Sequence, residues 1–218
     1  MTTAVIVFAK APVPGLAKTR LAPTLGEAGA AALAERMLRH ALAQAVAAGI
    51  GPVELCATPD APNPALRAMA GSFGAALAVQ GTGDLGARMA RALRRQLRRW
   101  PRALLVGTDA PALGARQLRE AARALDDHDA VFVPTHDGGY VLVGQRRPGD
   151  GRCFRGMAWS HPRVMDETRR RLAEAGLRWA ELSPVRDIDG PADLASLPPE
   201  WREGLPVMPG GRDVLHGG

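Results

Sequence analysis

Lysine is nearly missing from this chain: Lys10 and Lys18 are the only two, against 26 arginines. Cysteine is as scarce, and Cys56 and Cys153 lie far apart, with no C-x-x-C and no histidine at metal-ligand spacing. That pattern excludes a disulfide scaffold and a zinc cluster, and it suits a reduced, cytoplasmic protein. Aromatic residues make up 4% of the chain, with one tyrosine and four phenylalanines. A single-strand nucleic-acid binder needs stacking surfaces that such a composition does not supply. No stretch approaches the ~20 consecutive apolar residues of a membrane helix, so no membrane partner is expected. The apolar run Val5-Ile6-Val7-Phe8 is short and has neither a basic leader nor a small-residue cleavage site. It reads as a strand and not as a signal peptide.

What is present fits a soluble globular protein of ordinary make-up. The chain has 218 residues, 46% of them apolar and 23% charged, enough for one domain with a full core. The net charge of +6 comes from arginine, much of it in Arg88, Arg91, Arg94, Arg95, Arg98, Arg99 and Arg102. Leu85, Met89, Leu93 and Leu97 recur every fourth residue through that cluster. The arginines therefore read as the solvated face of an amphipathic helix, not as a nucleic-acid footprint.

Strand and helix signals alternate along the chain. Strands are expected at about 4–9, 53–57, 76–79, 103–106, 130–133, 140–143 and 179–182. Helices are expected over about 27–48, after Asn63-Pro64, through the arginine cluster, around 118–125, over 162–175 with Ser160 as cap, and up to 197. Five βα units followed by a strand that returns after Asp137-Gly138-Gly139 predict an α/β fold. Its sheet is doubly wound and mostly parallel, but mixed, with helices on both faces. Residues 1–197 are expected to form the domain and 198–218 a Pro/Gly-rich tail, loose over 210–218.

Four segments fall beyond carboxyl ends of strands, where open α/β sheets bind ligands. The first is F-A-K-A-P-V-P-G-L-A-K-T-R-L-A-P, which holds both lysines and Arg20. Ammonium groups are compact point charges, unlike the planar fork of arginine, and a loop carrying two of them suits a polyphosphate. The second, Gly81-Thr82-Gly83-Asp84-Leu85-Gly86, matches the G-x-G-x-x-G of a dinucleotide-binding Rossmann turn. It sits in the third βα unit and leaves the lysine loop without a task, so that reading stays secondary. The third, Gly107-Thr108-Asp109-Ala110-Pro111, and the fourth, Asp187-Ile188-Asp189-Gly190-Pro191, each present a carboxylate. Asp109 with Asp189 suits Mg²⁺ or Mn²⁺, which take one or two protein carboxylates plus phosphates. The competing account makes both aspartates helix caps or turn residues. His40, His128 and His216 read as surface positions and His161 as part of a helix start. No G-x-S-x-G elbow supports a hydrolase triad.

Taken in order, F-A-K-A-P-V-P-G-L-A-K-T-R-L, Q-G-T-G-D-L-G-A-R-M, G-T-D-A-P, D-G-G-Y-V-L-V-G, F-R-G-M-A-W-S and D-I-D-G-P-A-D-L resemble a bacterial family of GT-A-like transferases. That family is related in fold to sugar nucleotidyltransferases and cofactor guanylyltransferases. Its members are commonly labelled glycosyltransferases, some linked to arsenosugar biosynthesis. The resemblance covers about residues 4–197 and implies a nucleotide-diphospho-sugar transferase fold. By this resemblance Lys10, Lys18 and Arg20 hold phosphates, and Gln80, Gly83, Asp84, Gly86 and Arg88 meet the base or ribose. Asp109 holds the metal and serves catalysis with Lys18, while Asp137, Gly138, Gly139, Tyr140 and Trp159 face the acceptor. The first loop lacks the G-x-G-x-R run of sugar nucleotidyltransferases and is stiffened by Pro12 and Pro14 instead.

The function expected is a metal-dependent transferase with a nucleotide-activated donor and a small-molecule acceptor. Glycosyl transfer from a nucleotide sugar stands ahead of nucleotidyl transfer from an NTP onto a small phosphorylated or acidic acceptor, which would release pyrophosphate. A nucleotide-binding module without turnover is the alternative of another class, and a homodimer stays open.

Overall fold

The computed structural model describes residues 1–59, 63–147, 151–203 and 205. Seven strands, β1 (Thr3–Lys10), β2 (Val53–Thr58), β3 (Ala76–Val79), β4 (Arg102–Val106), β5 (Ala130–Pro134), β6 (Tyr140–Arg146) and β7 (Trp179–Glu181), form one sheet. Their order is β3-β2-β1-β4-β6-β5-β7. β6 alone runs antiparallel to its neighbours β4 and β5, and the other pairings are parallel. The expected mixed, doubly wound sheet is therefore present. β4 is buried along its whole length between β1 and β6, as an apolar run with no polar face requires. β3 is the opposite edge case, with Leu77 and Val79 exposed.

Helices cover both faces: α1 (Ala22–Ala48), α2 (Pro64–Ser72), α3 (Leu85–Leu97), α4 (Ala115–Ala124) and α5 (Val164–Glu174). Strand alternation sorts the core into two layers. Val5 and Val7 of β1 meet Leu38 and Leu42 of α1, Leu66 of α2 and Leu118 of α4. Ile6, between them in sequence, points the other way toward Met89 and Leu93 of α3 and Met165 and Leu172 of α5. Cys56 and Cys153 are buried thiols in this second layer. Each fully buried Leu or Ile contributes about 1.5–3 kcal/mol, so truncating Leu104 at the centre of β4 costs about 2–5 kcal/mol.

Several expectations need correction. α1 extends to Ala22, but Gly26 (φ 70°, ψ 164°) breaks it, so the regular helix does begin near Glu27. α5 starts at Val164, and Ser160 does not cap it. Ser160 adopts a left-handed conformation (φ 63°), and the Arg163 amide donates to Nδ1 of His161 instead. The arginine cluster is only partly solvated. Arg91 donates to the carbonyls of Gln80 and Thr82, and Arg95 and Gln96 hold the buried carboxylate of Glu54. Arg102 lies buried in β4 and pairs with Asp126. A lone arginine-lined surface is thus not what this segment forms; it ties α3 to the sheet.

Histidines 40 and 128 are half-buried rather than superficial. Nε2 of His40 bonds to the Pro111 carbonyl, and its ring meets Trp201 edge-on at 5.1 Å. Packing also continues past residue 197. α6 (Pro199–Arg202) follows the expected end at 197, and Trp201 and Leu205 join Leu33, Met37, Ile188 and Leu194 in a third apolar cluster. The loose tail expected over residues 210–218, His216 included, lies outside the described residues. Among the described residues no helix is long and apolar enough to cross a membrane.

Candidate functional site

Strand order reverses direction between β1 and β4, and such a switch point opens a crevice at the carboxyl edge of the sheet. A cleft of about 640 Å³ lies there. Three of the four expected segments converge on it. The lysine loop contributes Lys10, Lys18 and Arg20, the β4 turn Thr108 and Asp109, and the late loop Asp187 and Asp189. The hairpin turn before β6 adds Thr135, Asp137, Gly139 and Tyr140, and Trp159 and His161 close the far side.

Lys18 is the hub of the near half. Its backbone is left-handed (φ 49°), its side chain is 10% exposed, and its ammonium faces two carboxylates and a carbonyl. Nζ donates to the Ile188 carbonyl at 2.5 Å and to Asp189 Oδ1 at 3.2 Å, and it stands 2.5 Å from Asp109 Oδ1 in an ion pair. The backbone supports the same junction, because the Ile188 amide donates to the Asp109 carbonyl at 2.8 Å. Arg20 is exposed and stands 3.9 Å from Asp189 Oδ2. Lys10 is exposed at the end of β1, and among the described residues no ion pair engages it. The expectation that Lys18 holds phosphates thus meets an ammonium already engaged by Asp109, Asp189 and the Ile188 carbonyl, whereas Lys10 and Arg20 are exposed at the cleft.

The capping account of the two aspartates does not hold. α4 begins at Ala115, where Gln117 and Gln44 accept from the Gly114 and Ala115 amides, and Asp109 takes no part. The turn of 3₁₀ helix at Pro191–Ser196 is capped by Asp193, which accepts from the Asp189 and Gly190 amides. The carboxylates of Asp109 and Asp189 are instead half-exposed and drawn to one cation. Among the described residues no group of three or more His, Cys, Asp or Glu is arranged around a metal. A pair of hard oxygen ligands sharing a cation nevertheless fits Mg²⁺ or Mn²⁺, which complete their shells with phosphate and water.

The far half is acidic and aromatic. Thr135 Oγ1 donates to Asp137 Oδ1 at 2.5 Å, and the Gly139 amide donates to the same oxygen at 3.0 Å. Gly138 (φ 89°) must be glycine here, since a Cβ would land on the Pro162 carbonyl oxygen. Its own carbonyl accepts from the Met165 amide, so this turn is braced by the start of α5. Phe132, Tyr140, Trp159 and Phe154 form a chain of ring contacts, and burial pushes the Tyr140 hydroxyl well above its usual pKa. Nε1 of Trp159 is buried without a partner among the described residues.

Asp187 is the residue that sequence reasoning missed. Burial pushes its carboxyl up to about 6, and the charges of Asp137, Asp189 and Asp193 add to the rise against the pull of its own backbone amide. The D-I-D-G-P motif contained the signal, but only burial and the charge of Asp137 in the folded chain distinguish Asp187 from Asp189.

The expected nucleoside residues do not line the cleft. Gln80 is 3% exposed, and its amide is fully used: Nε2 donates to the carbonyls of Ala9 and Cys56, and Oε1 accepts from Arg88. Asp84 caps α3 by accepting from the Ala87 amide at 2.7 Å. A Cβ on Gly86 would stand 2.5 Å from the Phe154 carbonyl and 2.8 Å from the Trp159 ring, so this glycine admits the cleft wall against α3. Gly83 turns the chain at positive φ ahead of α3. Of this segment Leu85 lines the cleft, with Met89 one turn later.

The seven-stranded mixed sheet with its switch-point cleft is the nucleotide-diphospho-sugar transferase fold. Residues 26–161 match the model of a family described as an uncharacterized protein conserved in bacteria (DUF2064), and the chain belongs to that family. The chain is similar to a crystal structure from Desulfovibrio desulfuricans G20, provisionally named a nucleotide-diphospho-sugar transferase. Identity is 27%, the TM-score 0.83, and coverage 94% of this chain and 90% of that one. It shares its fold with a nucleotidyl transferase from Methanothermobacter thermautotrophicus (13% identity, TM-score 0.63, 92% and 97% covered). A CMP:2-keto-3-deoxy-manno-octonic acid synthetase complexed with CTP has it too (14%, TM-score 0.56, 90% and 96% covered). The comparison with curated proteins finds no match.

Proposed function

We propose that this protein is a transferase that draws on a nucleotide-activated donor, with glycosyl transfer from a nucleotide sugar as its reaction. One observation carries the reading: a single cleft has cations on one side and acceptor-only carboxylates with aromatic rings on the other. Lys10 and Arg20 hold the donor diphosphate by charge-assisted hydrogen bonds. Asp109 and Asp189 hold a divalent ion, which supplies charge neutralisation to the departing diphosphate. Asp137 and Asp187 accept hydrogen bonds from hydroxyl groups of the sugar or acceptor. Trp159 and Tyr140 give a ring face a place to lie, so the reacting groups are positioned and screened from water. The name of the Desulfovibrio relative supports this reading.

Nucleotidyl transfer is the second reading, favoured by the names of the Methanothermobacter and CTP-bound neighbours. A ligand screen followed by product analysis separates the two. Thermal melting should rise with particular nucleotide sugars in the presence of Mn²⁺. A ligand at 100 times its Kd adds about 2.7 kcal/mol, readily seen as a shift in melting temperature. Mass spectrometry then finds a nucleoside diphosphate for glycosyl transfer, or pyrophosphate for nucleotidyl transfer. If neither nucleotide sugars nor NTPs shift the melt, the donor reading falls.

A further inference from the structure

We infer that Lys18 is the resident counter-ion of the Asp109–Asp189 pair rather than a donor-phosphate ligand, and that it keeps a divalent cation out of the site until phosphate arrives with it. The inference rests on the donor reading given above.

Three observations lead there. First, the Lys18 ammonium is already engaged: it donates to Asp189 and to the Ile188 carbonyl and forms an ion pair with Asp109. A phosphate contact would have to replace one of these. Second, the ammonium is enclosed while both carboxylates stay open. The Lys18 side chain is 10% exposed, and those of Asp109 and Asp189 are 47% and 45% exposed. Third, the pair is matched by cations. Two carboxylates face Lys18 and, at 3.9 Å from Asp189, Arg20. A free divalent ion therefore meets carboxylates that already have counter-ions, and its attraction to them is opposed by a cation close to both. A diphosphate supplies further negative charge, so metal and donor enter together. This divides the work of the two lysines. Lys10, exposed and outside any ion pair among the described residues, meets the diphosphate, and Lys18 sets the charge of the metal site.

The test uses two probes on the full chain: Mn²⁺ alone, counted as free ion by electron paramagnetic resonance, and inorganic pyrophosphate in EDTA, followed by calorimetry. Lys18→Met removes the charge but keeps much of the apolar stem, and its fold is checked by circular dichroism and melting. It should bind Mn²⁺ at least about tenfold more tightly than the wild type, equivalent to about 1.4 kcal/mol. Lys18→Arg, which keeps the charge and serves as the second variant, should stay near the wild-type value. Pyrophosphate without metal should bind Lys18→Met as it binds the wild type, and Lys10→Ala several-fold more weakly. Mn²⁺ binding no tighter in Lys18→Met than in the wild type overturns the inference. So does a loss of pyrophosphate affinity in Lys18→Met equal to that in Lys10→Ala. A wild type that binds no pyrophosphate sinks the donor reading instead, and the Mn²⁺ comparison still decides the role of Lys18.

Discussion

The side-chain amide of Gln80 donates to the carbonyl oxygen of Ala9, 2.9 Å away, one residue before Lys10. A second hydrogen goes to Cys56, and Arg88 occupies the amide oxygen. Gln80 thus clamps the ends of β1 and β2 together beneath the cationic loop, and its effect on ligands is transmitted through that scaffold.

Gln80→Ala should therefore act on stability first. Losing buried hydrogen bonds and leaving their carbonyls without the amide costs about 1–3 kcal/mol. At about 2–4 °C per kcal/mol for a chain of this size, calorimetry should show a clear fall in melting temperature. Preference among nucleotide bases should stay as in the wild type. A changed base preference at an unchanged melting temperature would place the amide in the pocket after all.

Gly86→Ala should open the cleft wall. The added methyl meets the Phe154 carbonyl and the Trp159 ring, and backbone cannot yield as a flexible side chain can. The segment carrying Trp159 must shift, at about 1–3 kcal/mol. Tryptophan emission should change, and acceptor saturation should weaken more than donor binding. An unperturbed melt and emission spectrum would contradict this close approach.

Asp109→Asn should separate folding from binding. The pair with Lys18 has a half-exposed carboxylate, so its loss costs no more than about 1 kcal/mol. Metal-dependent donor binding should vanish, because an amide does not supply the anionic oxygen a hard cation takes. Full turnover with Mn²⁺ in this variant would end the metal-diphosphate mechanism.

Asp187 should leave a signature in stability against pH. Its carboxyl titrates at about 6 folded, above the ordinary 3.8. The folded state holds that proton more tightly than the unfolded one, so protonation favours folding. The penalty of ionising Asp187 grows as pH rises from about 4 to about 6 and is fully present above that window. Asp187→Asn should therefore raise the melting temperature near neutral pH and leave it unchanged near pH 4. A gain of equal size at both would point to packing, not charge.

The parts of this molecule legible in sequence are those governed by local pattern. The four-residue recurrence of Leu85, Met89, Leu93 and Leu97 marked α3, and the apolar run at 103–106 marked β4 as central. The carboxyl-end rule also brought Lys18, Asp109 and Asp189 into one cleft. What escaped depends on contacts between distant residues. Nothing near Gln80 in sequence reveals that its partners are Ala9 and Cys56, which lie 71 and 24 positions away. Motif spacing likewise hid the rise in the Asp187 pKa, because its neighbour Asp137 belongs to a different hairpin. A buried glutamine and a ligand-binding one look the same until tertiary structure supplies the carbonyls.

Lys18 and Asp189 stand 171 positions apart, and that distance is also a delay. A ribosome adding about 5–20 residues per second delivers the second carboxylate roughly 10–35 s after the lysine. Over that interval the other six strands are added one by one, and the ammonium has only Asp109 to face once that residue emerges. The late loop must then thread back from beyond β7 to seat Ile188 against the Asp109 carbonyl. The cleft is therefore among the last parts of the molecule to become competent, and a partly made chain carries its cationic loop without being able to hold what the finished protein holds.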